Sequence, residues 1–164
     1  MNMRKILILV FLICAITTNA QVSYGNKYFG GTNININVST ENDSVFLTVI
    51  LTSDRQKMVD TPKLLLRLTD EKVISLDGLL LANSSKNEGA YMIGNVAVAF
   101  SYYITEAKFP ITREQMEQLS KGIKKLRLNT SPDFHERKWR RDRIGKILYA
   151  KYMESSSNSF KDGF

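Results

Sequence analysis

The sequence predicts an α+β domain: a mainly antiparallel sheet or small β-sandwich with two late helices, the last one basic. Three observations carry this. Alternating and apolar runs crowd residues 33–104, helix start and stop signals occur only after residue 111, and no regular β-α-β alternation is present. The 164 residues suit one domain, and a hydrophobic content of 43 % is too high for a disordered chain.

Residues 1–20 read as an address. Arg4 and Lys5 precede an unbroken apolar run from Ile6 to Ile16, and Thr17-Thr18-Asn19-Ala20 follows. A basic start, a short apolar stretch and a small-residue exit have the form of a secretory signal peptide cut after Ala20. As a helix the run would span only about 16 Å, half of a bilayer core. A lipoprotein signal needs a small residue before its cysteine. Ile13 precedes Cys14, so anchoring there is not expected. From Gln21 onward the chain has no cysteine, which excludes disulfides, thiolate catalysis and Cys-ligated zinc. The expectation is a soluble exported product, periplasmic or extracellular, without a transmembrane span.

The elements then follow in order. Residues 21–32, with the rings of Tyr24, Tyr28 and Phe29, read as a flexible lead-in whose aromatics dock on the body. Asn33 to Val38 alternates strictly, as a half-buried strand does. Ser44 to Thr52 is apolar on both faces and reads as a central strand covered on both sides. Lys63–Thr69 and Val73–Leu76 are short strands around a polar turn. Asp77-Gly78 looks like a two-residue hairpin turn into Leu79–Ala82, and Asn83–Ala90 is a polar loop. In Val96–Ile104 one face is large, while Ala97, Ala99 and Ser101 are small enough to admit a covering helix. Thr112-x-x-Gln115 has the form of a capping box, with Gly122 as the helix stop. Leu126 and Leu128 mark another strand. Ser131-Pro132-Asp133 then looks like the start of a second helix running to about Met153, so the domain spans 21–154. Residues 155–164 are a serine-rich, disordered polar tail.

The net charge of +7 is local. Arg4 and Lys5 carry two of those charges, and the window His135–Lys151, with seven basic and two acidic residues, carries the other five. Trp139 stands among Arg137, Lys138, Arg140, Arg141 and Arg143. An aromatic among guanidinium groups suits an anionic partner through stacking and ion pairs. These six residues are the candidate interaction surface, for an acidic protein or an anionic surface polymer. Nucleic acid is not expected, since no reader motif is present.

Enzymatic motifs are missing. His135 is the only histidine, and the second histidine of an H-E-x-x-H site would fall on Trp139. No G-x-S-x-G elbow, phosphate loop or calcium loop occurs, so no cofactor or metal is expected. The alternative is a small carbohydrate-acting hydrolase using the turn carboxylates Asp70, Glu71 and Asp77, since glycosidases need two acids about 5 to 9 Å apart.

The run Tyr102-Tyr103-Ile104 through Lys121-Gly122-Ile123 to Arg127-Leu128 orders a strand, a short helix ending at glycine and a basic strand. In this order Leu64–Leu148 resembles small exported bacterial proteins of the Bacteroidota type, whose function is uncharacterised. The resemblance implies no activity or site residues. The sequence thus predicts a non-enzymatic interaction module contacting an acidic partner or anionic surface through a basic C-terminal helix.

Overall fold

The computed structural model describes residues 21–25, 31–42, 44–142 and 144–161. The expected signal peptide, Arg143 and the last three residues of the tail lie outside them. β1 (Gln21–Gly25), β2 (Thr32–Glu41) and β3 (Ser44–Ser53) are followed by β4 (Lys57–Met58), β5 (Lys63–Leu68) and β6 (Val73–Asp77). The hairpin of β7 (Leu79–Ile93) and β8 (Val96–Ile111) leads into helix α1 (Arg113–Leu119). After β9 (Ile123–Leu128), β10 (Thr130–Ser131) and β11 (His135–Lys138) comes helix α2 (Gly145–Lys161).

The strand pairings are antiparallel, as expected. One sheet has the order β1-β2-β3-β8-β7, a second β11-β9-β5-β6, and β10 pairs with β4 as a small ribbon. Strand alternation sends every second side chain inward. Val45, Leu47, Val49 and Leu51 of β3 join Leu64, Leu66 and Leu68 of β5 and Leu126 and Leu128 of β9 in one buried cluster. Phe109 is fully buried there, and Met116, Leu119, Ile144 and Leu148 bring both helices onto it. Helix α2 packs against α1 and β2. The described residues thus form a β-rich α+β arrangement with two helices.

Several local expectations hold. Thr112 accepts from the Gln115 backbone N–H while the Gln115 side chain accepts from the Thr112 N–H, which closes the capping box of α1. Gly122 has φ +94°, the left-handed conformation expected of a helix stop. The ring of Tyr24 docks on the core as anticipated.

Others are corrected. Gln21–Gly25 is an edge strand, because the open side of β2 offers it a ladder from Asn37 to Asn33. β3 is central in its sheet, but only one of its faces is fully buried. Over the other lies Lys108, whose ammonium sits 4.2 Å from the Phe46 ring centroid. Asp77-Gly78 is not a hairpin turn. It is the step by which the chain leaves the β6 sheet and enters the β7 sheet, with the Gly78 N–H donating to Pro62 O at 2.8 Å. Only glycine fits there, since a Cβ would stand 2.5 Å from Phe109 Cε1. Asn83–Ala90 belongs to β7, its polarity tolerated where residues 83–86 and Ala90 face solvent. Ala97, Ala99 and Ser101 are exposed, and no helix of the described residues covers them. The final helix reaches Lys161, past the point where the tail was expected.

That helix begins at Gly145, where one carboxylate gathers four backbone donors. Asp142 Oδ1 accepts from Gly145 N at 2.9 Å, Ile144 N at 3.2 Å and Ile123 N at 2.8 Å, and Oδ2 accepts from Lys146 N at 3.0 Å. Burial raises the Asp142 pKa, but the donors at Ile123, Lys146, Gly145 and Ile144 outweigh it and hold the carboxyl below its ordinary value. A depressed acid stabilises the fold above its unfolded pKa near 4 and ceases to do so as pH falls through the folded value. Asp142→Ala removes a helix cap and leaves the Ile123 N–H without its partner. Chemical denaturation at neutral pH is expected to show a loss of about 2–4 kcal/mol, and the variant's stability falls less steeply than the parent's below pH 4.

Candidate functional site

The candidate surface is not helical. Arg137 and Lys138 lie on β11, while Trp139, Arg140 and Arg141 form the turn that leads to Asp142. The Ser131-Pro132-Asp133 signal fails because its neighbours hold it otherwise. Thr130 and Ser131 pair with Met58 and Lys57, and the Thr130 hydroxyl donates to the Asp133 carbonyl. His135 to Lys138 then complete the open edge of β9 from Leu128 to Lys125. A strand turns alternate residues to opposite faces, so Arg137 and Lys138 point to opposite sides of the sheet, and Arg143 lies outside the described residues.

Register decides which cations meet. Lys138 is opposite Lys125, and Lys125 is opposite Arg67, so three basic residues cross three adjacent strands in one row. Glu136, Arg127 and Leu65 form the next row on the same face. Arg137 falls in the row of Leu126 and Leu66, on the other face at its exposed edge. Lys138, Trp139 and Arg140 line a groove of about 490 Å³ together with Arg67, Lys124 and Lys125. The last three are the residues that sequence reasoning missed. The alternation of Lys125 and Arg127 with Leu126 and Leu128 showed that β9 has a basic face, but nothing local showed what that face would meet.

Two carboxylates answer these charges. Glu136 takes Lys125 Nζ at 2.7 Å and the Arg127 guanidinium at 2.8 and 3.0 Å, with Lys138 Nζ at 3.6 Å. The hydrogen bonds from Lys125 and then Arg127 pull its pKa down to about 2. Glu71 binds Lys124 and lies 3.7 Å from Arg67. Like charges directly opposite in a sheet destabilise it, so the groove keeps a positive excess that an anion would relieve. No ion pair is seen for Arg137, Arg140 or Arg141 among the described residues, and all three are exposed.

Trp139 is half-buried. Its backbone N–H donates to Lys124 O at 2.9 Å, continuing the β11–β9 ladder, and its ring meets Tyr24 edge-on at 5.2 Å between centroids. Beyond it, Tyr24 also stacks toward His135 at 6.2 Å. Tyr24 Oη and His135 Nε2 are buried without a hydrogen-bond partner among the described residues. Burial therefore raises the Tyr24 phenol well above its usual range and lowers the His135 pKa, to which Arg137 adds repulsion. The tryptophan is thus both a wall of the groove and part of the packing that holds β1 to β11.

The turn acids do not face one another across a cleft. Asp70 pairs with Lys121 at 2.8 Å and Glu71 with Lys124, while Asp77 pairs with Lys63 at 3.1 Å from the far end of β6. That separation is roughly 14 Å along the strand. Hydrogen bonds from Lys121 and Lys124 lower the pKa of Asp70 and Glu71, opposite to what a general acid requires. No group of three metal-ligating side chains occurs among the described residues, and none of their helices is long and apolar enough to cross a membrane.

His135 gives this corner a pH signature. Its folded pKa lies below the unfolded value near 6.5, so the unfolded chain binds the proton more readily and stability falls as pH drops below 6.5. Melting temperatures of the parent are expected to decline from pH 7 to pH 5, whereas His135→Gln gives a flatter profile over that window.

No protein-family model, curated protein or solved structure matches this chain.

Proposed function

We propose that the chain is an exported, non-catalytic interaction module whose basic groove holds an acidic protein segment or an anionic surface polymer. The row of Arg67, Lys125 and Lys138 carries this reading: three cations are placed side by side, with Lys124 and Arg140 beside them, and two carboxylates answer them. Trp139 offers an aromatic wall at the same groove, against which an anion's apolar portions or a sugar ring can lie. The leader-like residues 1–20 support export. The groove replaces the helix face as the contact surface, with Arg141 next in the chain to Arg140 and Arg137 turned to the opposite face of the sheet.

The test uses residues 21–164, which carry every described element. Trp139 is the single tryptophan, so its emission reports directly on the groove. Titration with a sulfated polysaccharide at low salt is expected to shift that emission, and physiological salt to weaken the binding as exposed ion pairs are screened. A Lys138→Glu/Arg140→Glu double reversal reduces affinity roughly tenfold or more, because it replaces two attractive contacts by repulsive ones. Equal affinity of the parent and a folded double reversal would show that the cations only solvate this face.

A further inference from the structure

The basic groove is not isolated on its sheet. Register continues the row of Lys138, Lys125 and Arg67 to Val73 on β6, so the row crosses all four strands of the second sheet. With neighbouring strands about 4.8 Å apart, it is roughly 14 Å long. A second hollow of about 130 Å³ adjoins the first and is lined by Leu65, Arg67, Val73, Lys125 and Arg127. Arg67 and Lys125 line both hollows, which therefore share these two cations as a common wall.

A β-bulge adds charge at that wall. From Arg67 to Leu68, β5 advances by one residue while its partner on β9 changes from Lys125 to Ile123, which leaves Lys124 as the extra residue. Regular alternation would put Lys124 and Lys125 on opposite faces, and a bulge re-aims the side chains it displaces. Both lysines accordingly line the first hollow. Apolar surface flanks this charge on each side. Trp139 is a wall of the first hollow, and Leu65 and Val73, the latter 53 % exposed, are walls of the second.

We propose that this row is a track for an anionic polysaccharide. Sugar rings of one chain lie against Trp139 in the first hollow and against Leu65 and Val73 in the second, while sulfate or carboxylate groups meet Arg67 and Lys125 between them. This rests on the reading of the groove as an anion site and chooses between its two classes of occupant. The row crosses the strands, on a sheet face that offers side chains alone. An acidic peptide binds a sheet best as an added strand, through backbone hydrogen bonds at an edge, and this face supplies none. A sugar ring brings its own hydroxyls and an apolar face suited to an aromatic or aliphatic wall. The sequence of apolar wall, cation pair and apolar wall thus matches a polymer that repeats ring and charge. Glu136 sets one carboxylate against Lys125, Arg127 and Lys138, which leaves positive charge along the row for such a polymer.

The test is calorimetric titration of the protein with a sulfated oligosaccharide of about six sugar units, and with polyglutamate of equal charge. The oligosaccharide is expected to bind roughly tenfold tighter than polyglutamate at physiological salt. Val73→Glu, in the second hollow, lowers its affinity roughly tenfold, and Val73→Lys raises it. Opposite effects at one exposed position separate a lost contact from a folding defect. Ser85→Glu makes the same charge change at an exposed position of the other sheet and leaves the affinity within about twofold. Three results overturn the proposal. If Lys138→Glu/Arg140→Glu weakens binding and both Val73 variants match the parent, the groove is a local anion site without a track. If polyglutamate binds as tightly as the oligosaccharide, the groove belongs to an acidic protein segment. If the parent binds neither polyanion at low salt, the reading of the groove falls as well.

Discussion

The carboxylate of Asp142 is the point on which the second sheet and the last helix both depend. Its oxygens terminate the N-terminal end of α2 and also accept from Ile123, the first residue of β9. β9 lies between β11 and β5, so the anchor of its first residue bears on both neighbours. The close approach needs Gly122, where a Cβ would stand 2.6 Å from the Asp142 Cβ. A half-buried carboxylate is tolerable here because its lone pairs are occupied, and charge-assisted bonds of this kind are about twice as strong as neutral ones. From this junction Ile144 packs onto the core, and α2 follows with Leu148 and Tyr152.

The groove depends on the same junction. The turn from Trp139 to Arg141 is suspended between the end of β11 and the Asp142 cap, which places Trp139 and Arg140 beside the basic row. The sheet then holds side by side what an isolated chain would keep apart. Cross-strand lysines and arginines repel, and Glu136 and Glu71 offset only part of that repulsion. The surplus resides in residues whose backbone positions the paired strands and the Asp142 cap hold in place.

What the sequence made legible was local chemistry. Thr112, Gln115 and Gly122 defined α1 because caps and stops act within a few residues. Ile34 and Ile36, or Leu126 and Leu128, revealed strands because alternation is local too. β11 was illegible for the opposite reason: His135-Glu136-Arg137-Lys138 has no apolar alternation and owes its conformation to the vacant edge of β9. Asn83–Ala90 was misread because polarity marks exposure, and an exposed strand is as polar as a loop. Of the groove, Lys138, Trp139 and Arg140 could be found as a cluster. Arg67 and Lys124 could not, because their place beside it is set by pairing between distant segments.

The step at Gly78 has a consequence for the order of assembly. The chain lays down three strands of one sheet, then two of the other, returns to the first with β7 and β8, and goes back to the second with β9 and β11. Neither sheet can be finished before the other has been visited, and α2 covers the core last. Long-range pairing of this kind is slow to form. A growing or threading chain therefore has no self-sufficient N-terminal half to collapse early. Neither sheet is complete until nearly the whole length of the chain is present.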